Sequence, residues 1–174
     1  MNLTSHESQN ELLGIAASQV MQKISDDERN VGFVCLLADE ARSFRNEQLA
    51  VCVRYTVDLD IRERFVMFVD CSQCGDAEGI TGELMKAVKV AKLEDVPIIA
   101  QAYDGASVMS GKENGVQKKV RELHPTAVYV HCMGHKLNLV ICCFLHDNPS
   151  RWYLFPIFRR SMYCLLYTSD AADE

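Results

Sequence analysis

Two aspartates follow apolar segments of the chain and have the chemistry to hold a divalent metal ion. Asp39 comes directly after the run Val31–Ala38, and Asp104 comes directly after Ile98–Tyr103. If these segments are neighbouring strands of one sheet, the two carboxylates lie at the same end of that sheet. Hard cations such as Mg²⁺ prefer carboxylate oxygens, and a pair of them can clamp the attacking and leaving oxygens of a phosphodiester. Two simpler interpretations stay open, because Asp104-Gly105 is a common turn dipeptide and Asp39 could cap a strand end.

Cysteine and histidine occur in two four-residue groups. Cys132-Met-Gly-His135 has a zinc-like spacing, and Cys71-Ser-Gln-Cys74 could supply the other half of a four-ligand site. The two groups are far apart in sequence and no knuckle-type turn surrounds either, which argues against structural zinc. We expect Cys132 and His135 to pack near the carboxylates, His131 to be partly exposed, and Cys71 and Cys74 to lie in a loop. A Cys–His nucleophilic pair is a further interpretation, but no nucleophile turn accompanies it.

Two polar stretches could contact phosphate or DNA. Ser107–Lys112 forms a small polar loop before a predicted helix start, where backbone N–H groups can bind an anion. An ordinary turn into a helix explains it at least as well. Lys118, Lys119 and Arg121 share one predicted helix face, and such a group is usually a solvated face.

The apolar periodicity indicates which elements position these residues. It predicts helices over 8–25, 80–92, 116–123 and 137–144, and strands over 31–38, 48–57, 64–69, 98–103 and 128–132. The short polar link 58–63 favours a hairpin, so the first three strands are antiparallel. Helical crossovers join the last two strands, which favours parallel pairing. The fold class predicted is therefore α/β, with three antiparallel strands, then two parallel strands, and helices on the sheet.

Six short motifs along this pattern carry a family resemblance. They are Gln9–Leu13, Leu37–Glu40, Glu47–Tyr55, Tyr103–Gly111, Asn114–Gln117 and Val130–Leu139. Their order resembles the catalytic core of hAT-superfamily transposases, which has a ribonuclease H-like fold. It is most similar to a transposase-derived branch labelled as a domain of unknown function, with relatives among MYM-type zinc-finger proteins.

The resemblance implies a metal-dependent phosphoryl transfer on DNA. It assigns Asp39 and Asp104 as catalytic ligands of Mg²⁺ or Mn²⁺, completed by a glutamate far downstream, and places Cys132 and His135 near the site. It also implies transposon-end DNA as partner, a nuclear or at least intracellular location, and homo-oligomers of the full-length protein. The chain departs from the family at Ala41–Phe44, which replaces a Ser/Thr-Thr-Asp type of run, and the third acid is absent. We therefore expect an inactive, incomplete core; the alternative is a domesticated, non-catalytic binding scaffold.

Periodicity, the family resemblance and the sequence of the tail together divide the chain into four segments. Residues 1–30 are a helical lead-in, 31–144 the partial core, and 145–163 a divergent segment without clear periodicity. Residues 164–174 resemble a translated sequencing adapter. We expect 145–174 to be poorly packed.

Composition limits the classes of function. A chain of 174 residues, 48% hydrophobic and 24% charged, fits one globular domain rather than a disordered or fibrous protein. The net charge of −6 excludes a generally basic, nucleic-acid-binding surface. We expect neither a transmembrane helix nor a secretory signal, and we interpret the eight cysteines as reduced thiols of an intracellular protein.

Overall fold

The computed structural model describes residues 5–43, 46–72, 74–147, 153 and 156. In chain order its elements are α1 (His6–Val31), β1 (Val34–Ser43), β2 (Asn46–Val57), β3 (Asp60–Asp70), α2 (Ala77–Val90), β4 (Ile98–Tyr103), α3 (Ser107–Ser110), α4 (Val116–Leu123), β5 (Val128–His131) and α5 (Met133–Asp147). The chain forms two compact units, Met1–Val130 and His131–Glu174, and each is described by itself.

One five-stranded sheet organises the fold, in the order β3-β2-β1-β4-β5. β1 pairs antiparallel with β2, and β2 pairs antiparallel with β3. β1 pairs in parallel with β4 on its other side. The predicted fold class, a mixed α/β sheet with three antiparallel strands followed by parallel pairing, is confirmed.

Side chains alternate between the two faces of the sheet. Val34, Leu36 and Ala38 of β1 are buried in the hydrophobic core, which they share with alternate residues of β2. Cys35 and Leu37 point to the opposite face and are half-buried. The helices α1 and α2 contact β2 and β3 and contribute to the same core cluster.

Helix α2 matches its predicted apolar stripe. Leu84 and Ala87 are fully buried, and Ile80 is 8% exposed. The helix begins at a standard N-cap, because the Asp76 carboxylate accepts the N–H of Gly79 at 2.9 Å. Burying a leucine such as Leu84 contributes roughly 2 kcal/mol to folding.

Helix α1 is longer than the sequence predicts. The acidic cluster Ser25–Glu28 was expected to end the helix, but it lies inside α1, and Ser25 and Glu28 are fully buried. The helix ends instead at Gly32, whose φ of 83° is the left-handed C-cap conformation that glycine adopts without strain. The helical spacing of Leu13, Ala17, Val20 and Ile24 predicts an apolar stripe, but only Ile24 of these four residues is buried. Contact with the core thus fixes the C-terminal turns of α1.

The β2–β3 hairpin is tighter than predicted. The expected link 58–63 is wrong, since β3 already begins at Asp60 and only Asp58 and Leu59 form the turn. Both turn residues have positive φ, 52° and 72°, as a type I′ turn requires. Leucine is an unusual occupant of this conformation, and the side chain of Leu59 is 95% exposed.

Helix α5 continues beyond its predicted end. It runs from Met133 to Asp147, and Leu145 is fully buried, so the expected poor packing is wrong for Leu145, whereas His146 and Asp147 are exposed. Apart from 153 and 156, the remaining tail, including Leu165, Tyr167 and the adapter-like segment, lies outside the described residues. None of the helices in the described part of the chain combines the length and the apolar character needed to cross a bilayer.

Replacing Leu59 by glycine should stabilise the protein. The left-handed conformation strains a leucine but not a glycine, and almost no burial is lost at this exposed position. We expect Leu59→Gly to raise the free energy of unfolding by about 0.5–1 kcal/mol in urea denaturation. Leu59→Ala, which removes the side chain but keeps the strain, should stay near the wild-type value. A lower stability of Leu59→Gly than of Leu59→Ala would contradict this explanation.

Stability should fall as pH rises, because of Glu28. Burial, aided by the nearby charge of Asp27, raises the pKa of this carboxyl from 4.5 to about 7. Above pH 4.5 the unfolded state loses the Glu28 proton, whereas the folded state still keeps it. The contribution of Glu28 to the free energy of unfolding is therefore full below pH 4.5 and is lost as pH rises through 7. The loss is on the order of 3 kcal/mol. Urea unfolding at pH 5 and pH 8 should show it in the wild type and not in Glu28→Gln.

Glu94→Gln is the matched control for this pH experiment, because Glu94 is an exposed acid on the same unit. It should keep the wild-type pH dependence. An equal pH dependence in wild type and Glu28→Gln would show that the buried carboxyl is not the group that titrates.

Candidate functional site

The two predicted aspartates lie toward the same end of the sheet. The parallel ladder between β1 and β4 ends with Leu37 opposite Ala102, and Asp39 and Asp104 each follow two residues later. Side chains two residues apart in a strand share a face, so Asp39 lies on the face of Leu37, whereas Asp104 lies just beyond the end of β4. The structure thus confirms that the first and fourth strands are adjacent and that both aspartates are at the same end.

Asp39 lies inside a strand rather than after one. β1 continues to Ser43, and Asp39 stands opposite Ala50 of β2. The predicted strand end at Ala38 is therefore wrong: pairing with β2 extends β1 past the point where β4 stops. Asp39 is exposed, on the face of β1 opposite to the one that carries Leu36 and Ala38. Of the divergent run Ala41–Phe44, the last residue lies outside the described residues.

Asp104 begins a loop and is held through both its side chain and its backbone. Its Oδ1 accepts the N–H of Ala106 at 3.2 Å. The Tyr129 hydroxyl donates to the Asp104 carbonyl at 3.0 Å. The preceding residue, Tyr103, is fully buried, and burial raises the pKa of its phenol strongly. The turn interpretation of Asp104-Gly105 is thus realised, and it leaves Oδ2 available to a ligand.

The polar loop after Asp104 uses its hydroxyl groups internally. Ser110 Oγ donates to the backbone of the same turn, with Gly105 O at 3.1 Å and Ala106 O at 3.0 Å. Gly111 and Gly115 touch closely, since a Cβ on Gly115 would lie 2.5 Å from the Gly111 oxygen. This close approach requires glycine at both positions. The contacts favour the interpretation as a turn into a helix.

Gln101 positions this loop, a role that the sequence analysis did not predict. It is fully buried in β4, and its Nε2 donates to the carbonyls of Gln117 at 3.0 Å and Ala127 at 2.9 Å. A single side chain therefore connects β4 to α4 and to the residue before β5. A glutamine inside an otherwise apolar strand was the signal that could have revealed it.

Most of the predicted basic face is neutralised. Lys118 forms an ion pair with Glu122 at 3.2 Å, and Lys119 forms one with Glu78 of α2. Arg121 is exposed on the same helix. The solvated-face interpretation therefore fits this helix better than a DNA-binding face.

The cysteine and histidine groups lie in different units. Cys71 and Cys74 lie in the loop between β3 and α2, as predicted. Cys132 is exposed before α5, and the half-buried His135 has its ring 5.4 Å from that of His131. Their proximity to the carboxylates stays a prediction. Within the described residues, no group of three His, Cys, Asp or Glu side chains is arranged to hold a metal ion.

Cys35, Cys52, Cys142 and Cys143 lie inside apolar runs of the sequence, which predicts that they are small core residues. Cys35, Cys52 and Cys142 are half-buried, but Cys143 is exposed, so the prediction is wrong for Cys143. Two adjacent residues of α5 point in different directions, so burial of one does not imply burial of the other.

Comparison with protein families gives one finding. The model of the family DUF4371, described as "ZMYM1/FAM200, RNase-like domain", matches residues 1–115. The matched range contains Asp39, Asp104 and the whole of the β1–β4 pairing, and it ends before Cys132. The match supports a transposase-derived RNase-like domain, in agreement with the fold described above.

Proposed function

The chain belongs to the ZMYM1/FAM200 RNase-like domain family, and on that premise we propose that it is a hAT-type DNA transposase core, a relative of MYM-type zinc-finger proteins, that does not cleave DNA as it stands. In this proposal Asp39 and Asp104 are the metal ligands, transposon-end DNA is the partner, and the nucleus is the place of action. Homo-oligomers belong to the proposal only for the full-length protein.

One observation carries the proposal: the β1–β4 register. Asp39, inside β1, and Asp104, the first residue after β4, each follow the paired residues Leu37 and Ala102 by two positions. Acidic residues converging at the ends of adjacent strands suit a hard divalent cation. Asp39 is exposed and Asp104 is half-buried, so both are accessible to an ion from solvent.

The donor set fits one weakly held cation. Mg²⁺ and Mn²⁺ are bound by oxygen ligands in a near-octahedral shell, and the two carboxylates supply two anionic oxygens. Oδ1 of Asp104 already accepts the Ala106 N–H, so Oδ2 is its natural ligand atom. Water would complete the shell, because no third acidic side chain joins this pair in the described part of the chain.

This ligand set explains why cleavage is not expected. A cation bound here would act as a Lewis acid on a phosphoryl oxygen. The in-line clamp of a two-metal site needs a second fixed ion, and two carboxylates do not fix it. Asp39 and Asp104 can hold and orient one ion, but the described residues supply neither the second anchor nor a positioned base.

Charge works against tight DNA binding by this chain alone. The net charge is −6, and Lys118 and Lys119 are ion-paired. Phosphate neutralisation by lysine and arginine provides most non-specific affinity for DNA. We therefore place the affinity for DNA outside this surface, in other parts of a full-length protein.

A non-catalytic binding scaffold is the second candidate. The specific observation in its favour is the use of Asp104 Oδ1 in a local turn together with the internal hydrogen bonds of Ser110. Both give the loop a purely structural explanation. In this alternative the RNase-like fold is retained for interaction, and the chain binds no cation at Asp39.

Weak cation binding is the first test of the proposal. We expect Mn²⁺ to bind with a dissociation constant on the order of 1 mM, measured by the loss of the free-ion signal in electron paramagnetic resonance. Asp39→Asn and Asp104→Asn should each weaken binding at least fivefold, since each removes one anionic ligand while preserving side-chain shape.

The charge-matched control is Asp60→Asn. Asp60 starts β3 and therefore lies at the opposite end of the sheet. Asp60→Asn changes the net charge by the same amount as Asp39→Asn and Asp104→Asn, and it should leave Mn²⁺ binding unaltered. Equal affinities of wild type, Asp39→Asn and Asp104→Asn would favour the scaffold over the metal site.

Absence of DNA cleavage is the second test. We expect neither the wild type nor Asp104→Ala to cut or transfer strands on hAT-type terminal-repeat DNA with Mn²⁺, because the two-ion clamp is incomplete. Products resolved on a denaturing gel measure both reactions. Cleavage by the wild type that disappears in Asp104→Ala would show that the chain is an active nuclease and that the proposal understates it.

A further inference from the structure

A tight turn brings two cysteines together between β3 and α2. The backbone N–H of Cys74 donates to the carbonyl of Cys71 at 3.0 Å. A backbone hydrogen bond between two residues three apart in sequence holds their Cα atoms within about 7 Å of each other. A disulfide spans Cα atoms separated by roughly 4.4–6.8 Å. The turn therefore holds Cys71 and Cys74 within the range of a disulfide.

The surroundings of the turn fix its ends. Before it, Asp70 Oδ1 accepts the N–H of Ser72 at 2.9 Å and also its hydroxyl. After it, the Asp76 carboxylate caps α2, and a Cβ on Gly79 would lie 3.0 Å from Cys74 Cβ. Because both ends are held, joining the two sulfur atoms requires little additional ordering of the backbone.

Both side chains are half-buried and pack against the hydrophobic core. Such a position permits entry of a small reagent but separates the pair from cysteines of other molecules. A bond within the turn is therefore favoured over a bond between chains.

The other cysteines of the sheet lack this geometry. Cys35 stands opposite Arg54, and Cys52 stands opposite Leu37, so the two cysteines are diagonal neighbours. Diagonal positions are about 7–8 Å apart, beyond the Cβ separation of a disulfide. Burial also raises the pKa of both the Cys35 and the Cys52 thiol, which lowers the reactive thiolate fraction.

We propose that Cys71 and Cys74 form a reversible dithiol–disulfide pair, oxidised by a small disulfide such as glutathione disulfide. One thiolate attacks the reagent, forms a mixed disulfide and releases one glutathione thiolate. The second cysteine thiolate attacks the mixed disulfide and releases the second glutathione. The protein loses two hydrogens as its dithiol becomes a disulfide, and one glutathione disulfide becomes two glutathione thiols.

The Cys71–Cys74 pair lies on the same side of the sheet as the two candidate metal ligands. β1 and β3 both run antiparallel to β2, and β1 runs parallel to β4. The C-terminal ends of β1, β3 and β4 therefore lie at the same end of the sheet. The Cys71–Cys74 turn thus follows the strand end on the same side as Asp39 and Asp104. The proposal does not depend on metal binding or on DNA chemistry there.

Peptide mapping of the full chain in glutathione buffers tests the proposal. After acid quenching, unfolding in urea and maleimide labelling at neutral pH, we expect Cys71 and Cys74 to be linked to each other and at least fivefold less labelled than Cys35 and Cys52. Dithiothreitol should restore their labelling. Cys71 and Cys74 that stay labelled, or that each carry a separate glutathione, would overturn the proposal, and this result needs no variant to fold.

Variants identify the resolving step. Cys71→Ser and Cys74→Ser should each leave the remaining cysteine of the turn as a persistent glutathione adduct, because its partner can no longer displace the glutathione. Cys52→Ser is the matched control and should leave formation of the internal disulfide unchanged. Equal adduct levels at Cys74 in wild type and Cys71→Ser would refute an internal exchange.

Discussion

The parallel pairing of β1 with β4 is the constraint on which the rest of the molecule depends. β1 is the middle strand, hydrogen-bonded to β2 on one side and to β4 on the other. Its buried residues, Leu36 among them, fill the core under the helices, while Asp39 points to the other face. A slip of one residue would exchange the two faces of the strand. The core would then receive Asp39 and lose Leu36, so packing enforces the position of the aspartate.

The sequence predicts those elements best whose boundaries are marked by local chemistry. β4 was predicted with its observed bounds, because Pro97 precedes it and Asp104-Gly105 follows it. The end of α1 was missed because Ser25 and Glu28 are polar, and polarity predicts exposure unless tertiary contacts bury the group. The extension of β1 to Ser43 was missed for a related reason. It depends on pairing with β2, which apolar periodicity along β1 does not reveal.

The candidate site also has one part that the sequence predicts and another part that it does not. Residue type and strand context suffice to identify Asp39 and Asp104, whose adjacency follows from the order of strands. The supporting contacts are long-range and have no local signature. Gln101 donates to the carbonyl of Ala127, and the Tyr129 hydroxyl donates to the Asp104 carbonyl. The ion pair of Lys119 with Glu78 joins two helices, and it turns a predicted basic face into a neutral contact.

The two carboxylates differ in how firmly they are held, and this difference affects any ion between them. Asp39 sits in a strand whose backbone is paired with β2, so its position is set by the ladder. Asp104 sits at the start of a loop, where its side chain also closes a turn with Ala106. A cation that drew both oxygens of Asp104 away would have to break that turn, and the cost would be subtracted from its affinity. Monodentate binding through Oδ2 avoids the cost. In the proposed metal site, this loop geometry favours a single oxygen ligand from Asp104, which would keep the affinity for the cation low.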